Sequence, residues 1–170
     1  MRGRPQAAEA APYYFRYIDR VEGDDVVPVL AAQLDETLAV LRGIGEEQSL
    51  YRYAPEKWSL REVLGHVNDT ERAFAFRAFW FARSFDHPLP GFDQDVCAAA
   101  AHADRRSWAD HLEEFRALRL ATLSLLRDLP EEAWSRGGIA SDNPVTVRAL
   151  AYMIAGHVSH HMAILEERYR

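Results

Sequence analysis

Cysteine is almost missing from this chain, Cys97 being the only one in 170 residues. That excludes an internal disulfide and a cysteine-based zinc knuckle, and it fits a reducing, cytoplasmic setting. Lysine is equally scarce. Lys57 stands alone, and the remaining basic residues are arginines dispersed among acids, as at Arg105-Arg106. With 26 acidic against 20 basic residues the net charge is −6, and there is no concentrated basic surface of the kind that nucleic-acid binding requires. No apolar run is long enough to span a bilayer, and no N-terminal stretch resembles a signal peptide. Met1-Arg2-Gly3-Arg4-Pro5 is too short and too alanine-poor for a targeting helix. Internal repeats, low-complexity tracts, heptads and strand-like alternation are also missing, which leaves helical periodicity as the pattern to follow.

What the chain does have is apolar material: 48% of its residues, enough for one domain with a single core and no covalent staple. Residues 1–25 lack periodicity, yet Pro12-Tyr13-Tyr14-Phe15-Arg16-Tyr17-Ile18 is too aromatic for a solvated tail. They are expected to form an N-terminal extension lying against a helical domain of residues 26–170. Asp24 or Asp25 offers an N-cap and Pro28 sits early in the run that follows. Val29, Leu30, Leu34, Leu38 and Leu41 then recur at helical spacing until Gly43 and Gly45.

Ser59 and Glu62 have the form of a capping box for a second helix reaching about Phe81. Its aromatic second half (Phe74, Phe76, Phe79, Trp80, Phe81) calls for cover on several sides, part of it from a second subunit. A long connection of residues 84–106 follows, with a short helix expected through the alanines at 98–101. Ser107 caps a third helix whose buried face is read as Trp108, Leu112, Phe115, Leu118, Leu125 and Leu126. A short helix at Glu131–Trp134 and a turn at Gly137-Gly138 lead to Thr146, the cap of a fourth helix ending near Arg168. The plan is an all-α four-helix bundle with a long crossover between its second and third helices.

The fourth helix carries the chemistry. His157 and His161 are four residues apart, so they share a face with about 6 Å of axial rise between them. That face is the apolar stripe of Leu150, Met153, Ile154, Ile164 and Leu165, whereas His160 falls at its edge, toward solvent or an interface. Two buried imidazoles side by side point to a shared divalent metal rather than to separate hydrogen bonds. Residue 158 is valine, so the general base of a His-Glu-x-x-His protease is missing. The third ligand has four candidates: His66, His87, His102 and His111. His111 lies in an acidic stretch (Asp110, Glu113, Glu114) and reads as surface. His66 has Glu62 four residues before it and Asp69 three after, either of which could orient its ring. Their other roles are capping for Glu62 and a surface charge for Asp69.

The run from Trp58 through Ser59, Glu62, His66 and Asp69 to Glu71, the run Ala155-Gly156-His157-Val158-Ser159-His160-His161, and Phe92-Asp93-Gln94-Asp95 between them resemble the DinB/YfiT-like superfamily of metal-binding four-helix bundles. The similarity covers roughly residues 28 to 168. It implies an up-down-down-up helix order and a three-histidine site formed by His66, His157 and His161. It also implies a homodimer and a small-molecule substrate, possible co-substrates being low-molecular-weight thiols such as bacillithiol or mycothiol.

Three neutral imidazoles leave a coordination position open, as in catalytic rather than structural sites. A metal there lowers the pKa of water or of a thiol, giving hydrolysis or thiol transfer, and the resemblance favours transfer. Zinc or nickel suits the donor set best, with iron(II) or manganese(II) also compatible. The rival readings are a non-catalytic metal-binding or stress-related interaction protein and a metal-free structural bundle. Cys97 is read as a buried bystander rather than a catalytic thiol. Asp93 and Asp95 are read as caps for the short helix rather than as groups approaching the metal.

Overall fold

The computed structural model describes residues 3–169. Met1 and Arg2, part of the segment read above as too short for targeting, lie outside the described residues, as does Arg170. Six α-helices run in the order α1 (Phe15–Ile18), α2 (Val26–Leu41), α3 (Leu60–Ala82), α4 (Gln94–Ala101), α5 (Trp108–Arg127) and α6 (Val147–Arg168). The four long ones, α2, α3, α5 and α6, form the bundle. Their N-termini are set by side-chain oxygens that take up otherwise unpaired backbone N–H groups. Asp25 accepts from Val27, Ser107 from Asp110 and Thr146 from Ala149. Ser59 and Glu62 close the expected reciprocal box at the start of α3.

The all-α expectation needs one correction. Gly137–Ala140 (β1) and Asn143–Thr146 (β2) form an antiparallel hairpin in which Gly137 pairs with Thr146 and Ala140 with Asn143. The turn is not at Gly137-Gly138 but at Ser141-Asp142, both with left-handed φ, of 51° and 62°. Glycine serves the strand through its lack of a side chain: a Cβ on Gly138 would stand 2.3 Å from the Phe81 ring. Two glycines also erase the alternation by which a strand is recognised.

The long connection starts its helix earlier than expected, at Gln94. Asp93 is the cap, accepting from the N–H groups of Asp95 and Val96. Leu89 is bonded to the hairpin, its N–H donating to Ile139 O and its carbonyl accepting from Ser141 N.

α3 packs most extensively on α6 and next on α5, and α2 packs on α5 and α6. The core has two apolar compartments. One contains Leu30, Phe74, Phe81, Leu123, Trp134 and Tyr152. The other contains Leu34, Val67, Phe115, Val158 and Leu165. Between them lies a polar layer drawn from all four long helices. Arg119, fully buried, makes a two-pronged ion pair with Glu71, Nε to Oε1 and Nη2 to Oε2, each 2.9 Å. Its Nη1 donates to Leu30 O at 3.1 Å and to Gln33 Oε1 at 2.9 Å. Gln33 Nε2 in turn donates to Ala155 O (2.8 Å) and Ser159 Oγ (2.9 Å). Every strongly polar group in this layer has a partner, the condition for burying it.

The α5 stripe therefore differs from the expected one. Arg119 and His111 lie on its buried side, while Leu112, Leu118 and Leu125 are only half-buried. His111 is 1% exposed, with its ring Nε2 2.9 Å from Ala103 O. Asp110 and Glu113 turn outward, but Glu114 is half-buried with its Oε2 3.9 Å from His111 Nδ1, and the ring turns in beneath the crossover. The second half of α3 is covered on one side only: Phe74 and Phe81 are buried, but Phe76 and Phe79 stand 51% and 40% exposed.

Candidate metal centre

His66, one and a half turns into α3, meets His157 and His161 across the α3–α6 packing. His66 Nε2 lies 3.1 Å from His157 Nε2, which lies 3.1 Å from His161 Nε2. All three ligand-capable nitrogens fall within 4.8 Å of one another. His66 and His157 are 7% and 4% exposed, and His161 is half-buried. Along α6 the site sits at the seam between the two apolar compartments, with His157 between Ala155 and Ser159, the two α6 residues that Gln33 of the polar layer bonds.

Aromatic rings wall the site. Trp58 packs on His66 with centroids 5.1 Å apart, and Tyr17 stands edge-on to His157 at 5.3 Å. Gly156 permits the second contact. A Cβ there would be 2.0 Å from the Tyr17 carbonyl oxygen, so α1 can lie on α6 only where α6 has no side chain. The aromatic N-terminal segment thus becomes part of the site wall.

Burial holds all three imidazoles neutral. Desolvation lowers the His66 pKa to about 4 and, with His66 and His160 nearby, that of His161 to about 3. His157 is pushed well below 6.5 by desolvation and by the other histidines. These are free bases at neutral pH, the state that ligates metal. A neutral imidazole has one acceptor nitrogen and one donor, so three Nε2 atoms facing one another make a poor hydrogen-bond set. Nitrogens about 2.0–2.1 Å from a tetrahedral zinc stand about 3.3 Å apart, close to the separations found here. The donor set therefore fits a divalent metal. Burial similarly raises the Tyr17 pKa to about 12, with Tyr13 beside it, so its phenol stays protonated.

The pKa shifts have a consequence for stability. Above pH 6.5 the imidazoles are neutral in both folded and unfolded chains and contribute no pH dependence. Below it the unfolded chain takes up protons that the folded site refuses until about pH 4 at His66 and about 3 at His161. Metal-free protein should therefore lose stability as the pH falls from 6.5 toward 4, by about 3 kcal/mol at the His66 site alone. Urea midpoints across that range check this. The slope should flatten in a His66→Gln variant, and an equal slope in both proteins would contradict it.

The remaining candidates separate cleanly. Glu62 caps α3 and pairs with Arg52, Oε2 to Nη1 at 2.5 Å, and Asp69 pairs with Arg72 at 3.1 Å. His87 is exposed, and His102 closes α4 with φ 48°. Cys97 is half-buried and borders a different cavity, with Phe76 and Leu89. Asp95 is close enough to act electrostatically on His66, opposing the desolvation. His160 is a ring neighbour of both Tyr17 and His161.

Two cavities meet at the histidines. One, about 250 Å³, is lined by Tyr14, Tyr17, His66, Thr70, Arg77 and His157 among others. The other, about 300 Å³, is bordered by Tyr53, Trp58, Asp95 and His161, and Gln94 contributes to both. A larger hollow of about 560 Å³ between α2 and α6 is bordered by Val40, Ile44, Met162 and Tyr169 and contains none of the three histidines, so volume alone does not locate the site. Thr70, Phe74 and Arg77 follow His66 at intervals of four, eight and eleven residues, a one-face spacing that was present in the sequence.

A sequence profile of the DinB superfamily matches residues 30–165. The chain belongs to the DinB superfamily. Among solved structures, this DinB protein is similar to YfiT from Bacillus subtilis, described as a probable metal-dependent hydrolase with an unusual four-helix bundle topology. The two are 17% identical with a TM-score of 0.71, over 96% of this chain and 89% of YfiT. It is also similar to a mycothiol-dependent maleylpyruvate isomerase, at 12% identity and a TM-score of 0.65, over 81% of this chain but only 58% of the isomerase. No curated protein matches the sequence. At these identities the likeness establishes a shared bundle fold. No helix of the described residues is long and apolar enough to cross a membrane.

Proposed function

We propose that this DinB protein is a metal-dependent enzyme that transfers a low-molecular-weight thiol to a small electrophile, with His66, His157 and His161 as the metal ligands. The observation that carries the metal centre is the meeting of three neutral imidazole nitrogens at 3.1 Å in a buried seam. Two separate cavities at the cluster, one reaching His66 and His157 and the other His161, favour transfer between two reactants over hydrolysis, which needs room for one reactant and water. When bound, a divalent cation (zinc or nickel before iron or manganese) supplies the positive charge that lowers the pKa of a thiol or water.

The chain's own residues do the rest. The histidines arrive deprotonated, so binding costs no proton loss at neutral pH. Trp58 and Phe74 exclude water from two sides. The Tyr17 phenol keeps its proton beside His157, and Gln94 presents an amide between the cavities. The reading includes the up-down-down-up helix order, supported by the packing of α2 on α5 and α6. It also includes a cytoplasmic homodimer, supported by the exposed Phe76 and Phe79.

The test is turnover by zinc- and nickel-loaded protein given monobromobimane or a chlorodinitrobenzene with bacillithiol, mycothiol or cysteine. Thiol consumption that requires the metal is the expected result. Metal-dependent ester cleavage that proceeds without thiol would replace transfer with hydrolysis. A loaded but inert protein across both screens would favour a non-catalytic metal-binding role.

A further inference from the structure

Among the described residues three arginines are buried, and two of them have carboxylate partners: Arg61 pairs with Glu46 and Arg119 with Glu71. Arg77 does not. It is 5% exposed, its Nη2 donates to Pro90 O at 2.9 Å and to Ser141 Oγ at 3.0 Å, and Tyr14 lies beside the guanidinium. Among the described residues no carboxylate reaches it. A guanidinium has five N–H donors, so Pro90 O, Ser141 Oγ and the Tyr14 phenol leave capacity unused. Desolvation lowers its pKa, opposed by the Tyr14 phenol and by no carboxylate.

Arg77 lines the 250 Å³ cavity that ends at His66 and His157. None of the residues lining that cavity is acidic, although the chain as a whole carries a net charge of −6. With its histidines neutral, Arg77 is its one formal charge. Thr70, 3% exposed and also in the lining, has a buried hydroxyl without a hydrogen-bond partner. Ser141 is held in place by the left-handed turn of the hairpin, φ 51°. His66 and Arg77 are separated by about 16 Å of helix axis, so a cation and the histidine cluster face each other along one cavity, with hydroxyls between them.

We infer that this cavity binds a small carboxylate-bearing substrate, its anionic group on Arg77 with the Thr70, Ser141 and Tyr14 hydroxyls as further partners, and its reacting end at the three histidines. A buried, preorganised guanidinium is the group that recognises an oxyanion in a place where water competes poorly. The word substrate rests on the proposed metal-centre function; the anion site stands on the Arg77 cavity alone. A phosphate monoester presents related oxyanion chemistry and is separated from a carboxylate by the test.

The experiment is calorimetric titration of the full chain with succinate, inorganic phosphate and uncharged succinamide, with and without bound zinc. Succinate is expected to bind more tightly than phosphate, and succinamide not to bind. Arg77→Gln should weaken succinate binding about ten- to hundredfold, the range for charge-assisted hydrogen bonds, with part of the loss recovered in Arg77→Lys. In the unaltered chain, succinate should protect Arg77 from phenylglyoxal, read by peptide mass spectrometry, which keeps the test independent of how the variants fold. Chelator-stripped wild-type protein should still bind succinate. If the wild type carries no metal and takes up no added zinc yet binds succinate, the metal reading fails and the anion site stands. Absence of succinate binding and of protection, equal affinity in Arg77→Gln, or preference for phosphate or succinamide would overturn the carboxylate site, whatever the metal content.

Discussion

Replacing Glu71 with alanine is expected to destabilise the protein by about 3–5 kcal/mol, because it leaves the fully buried Arg119 guanidinium without its counter-charge. The two hydrogen bonds of 2.9 Å that hold the pair are lost together. The remaining acceptors, Leu30 O and Gln33 Oε1, are neutral and cannot replace a carboxylate. At a urea slope of about 2 kcal/mol per molar, the denaturation midpoint should fall by roughly 2 M. Arg119→Ala should be comparably damaging, since it buries an unpaired Glu71 carboxylate. The joint replacement Glu71→Leu, Arg119→Met should be much milder than either single change, because it removes the desolvation cost along with the attraction. A cost below 1 kcal/mol for Glu71→Ala would mean that water reaches the layer. The layer separates two apolar compartments and draws on α2, α3, α5 and α6 at once, so it fixes how the four helices are offset along their axes. That offset is what brings His66 level with His157 and His161.

The second large effect is on metal content. Wild-type protein purified without chelator or histidine tag should carry about one divalent metal per chain by elemental analysis, and the His157→Ala, His161→Ala protein none. Added zinc at a thousandfold excess over its dissociation constant should stabilise the wild type by about 4 kcal/mol. For a chain of this size that raises the melting temperature by roughly 10 °C. The double variant should show no rise while keeping its helical circular dichroism, which distinguishes a lost site from a lost fold. Wild-type protein that neither carries metal nor gains stability from zinc or nickel would reduce the cluster to three hydrogen-bonded core histidines. A double variant that retained stoichiometric metal would place the ligands elsewhere.

Much of this was readable before any fold was known. The caps at Asp25, Ser59, Ser107 and Thr146 are local, a side-chain oxygen meeting a backbone N–H two or three residues on, and they appear where the sequence puts them. The His157–His161 pair is local as well, since helical spacing alone brings two rings onto one face. Where neighbouring residues misled, the deciding contact was distant in sequence. His111 looked like surface because its neighbours are acids, yet its ring is buried beneath Ala103 of the crossover. The stripe on α5 looked like a row of leucines because nothing near Arg119 announces Glu71, 48 residues earlier. The hairpin was hidden by two glycines whose role is to admit the Phe81 ring.

By itself, then, the sequence determined four long helices, their N-terminal caps and the pair of histidines on α6, because each depends on interactions within one or two turns of chain. It also limited the chemistry, through a single cysteine and the missing glutamate after His157. Only the tertiary structure decided that His66 completes the cluster geometrically, that Tyr17 reaches the site over Gly156, and that Arg77 is buried without a carboxylate. These depend on which helix faces are pressed together and on what burial then does to charge, and that is set by contacts between residues tens of positions apart.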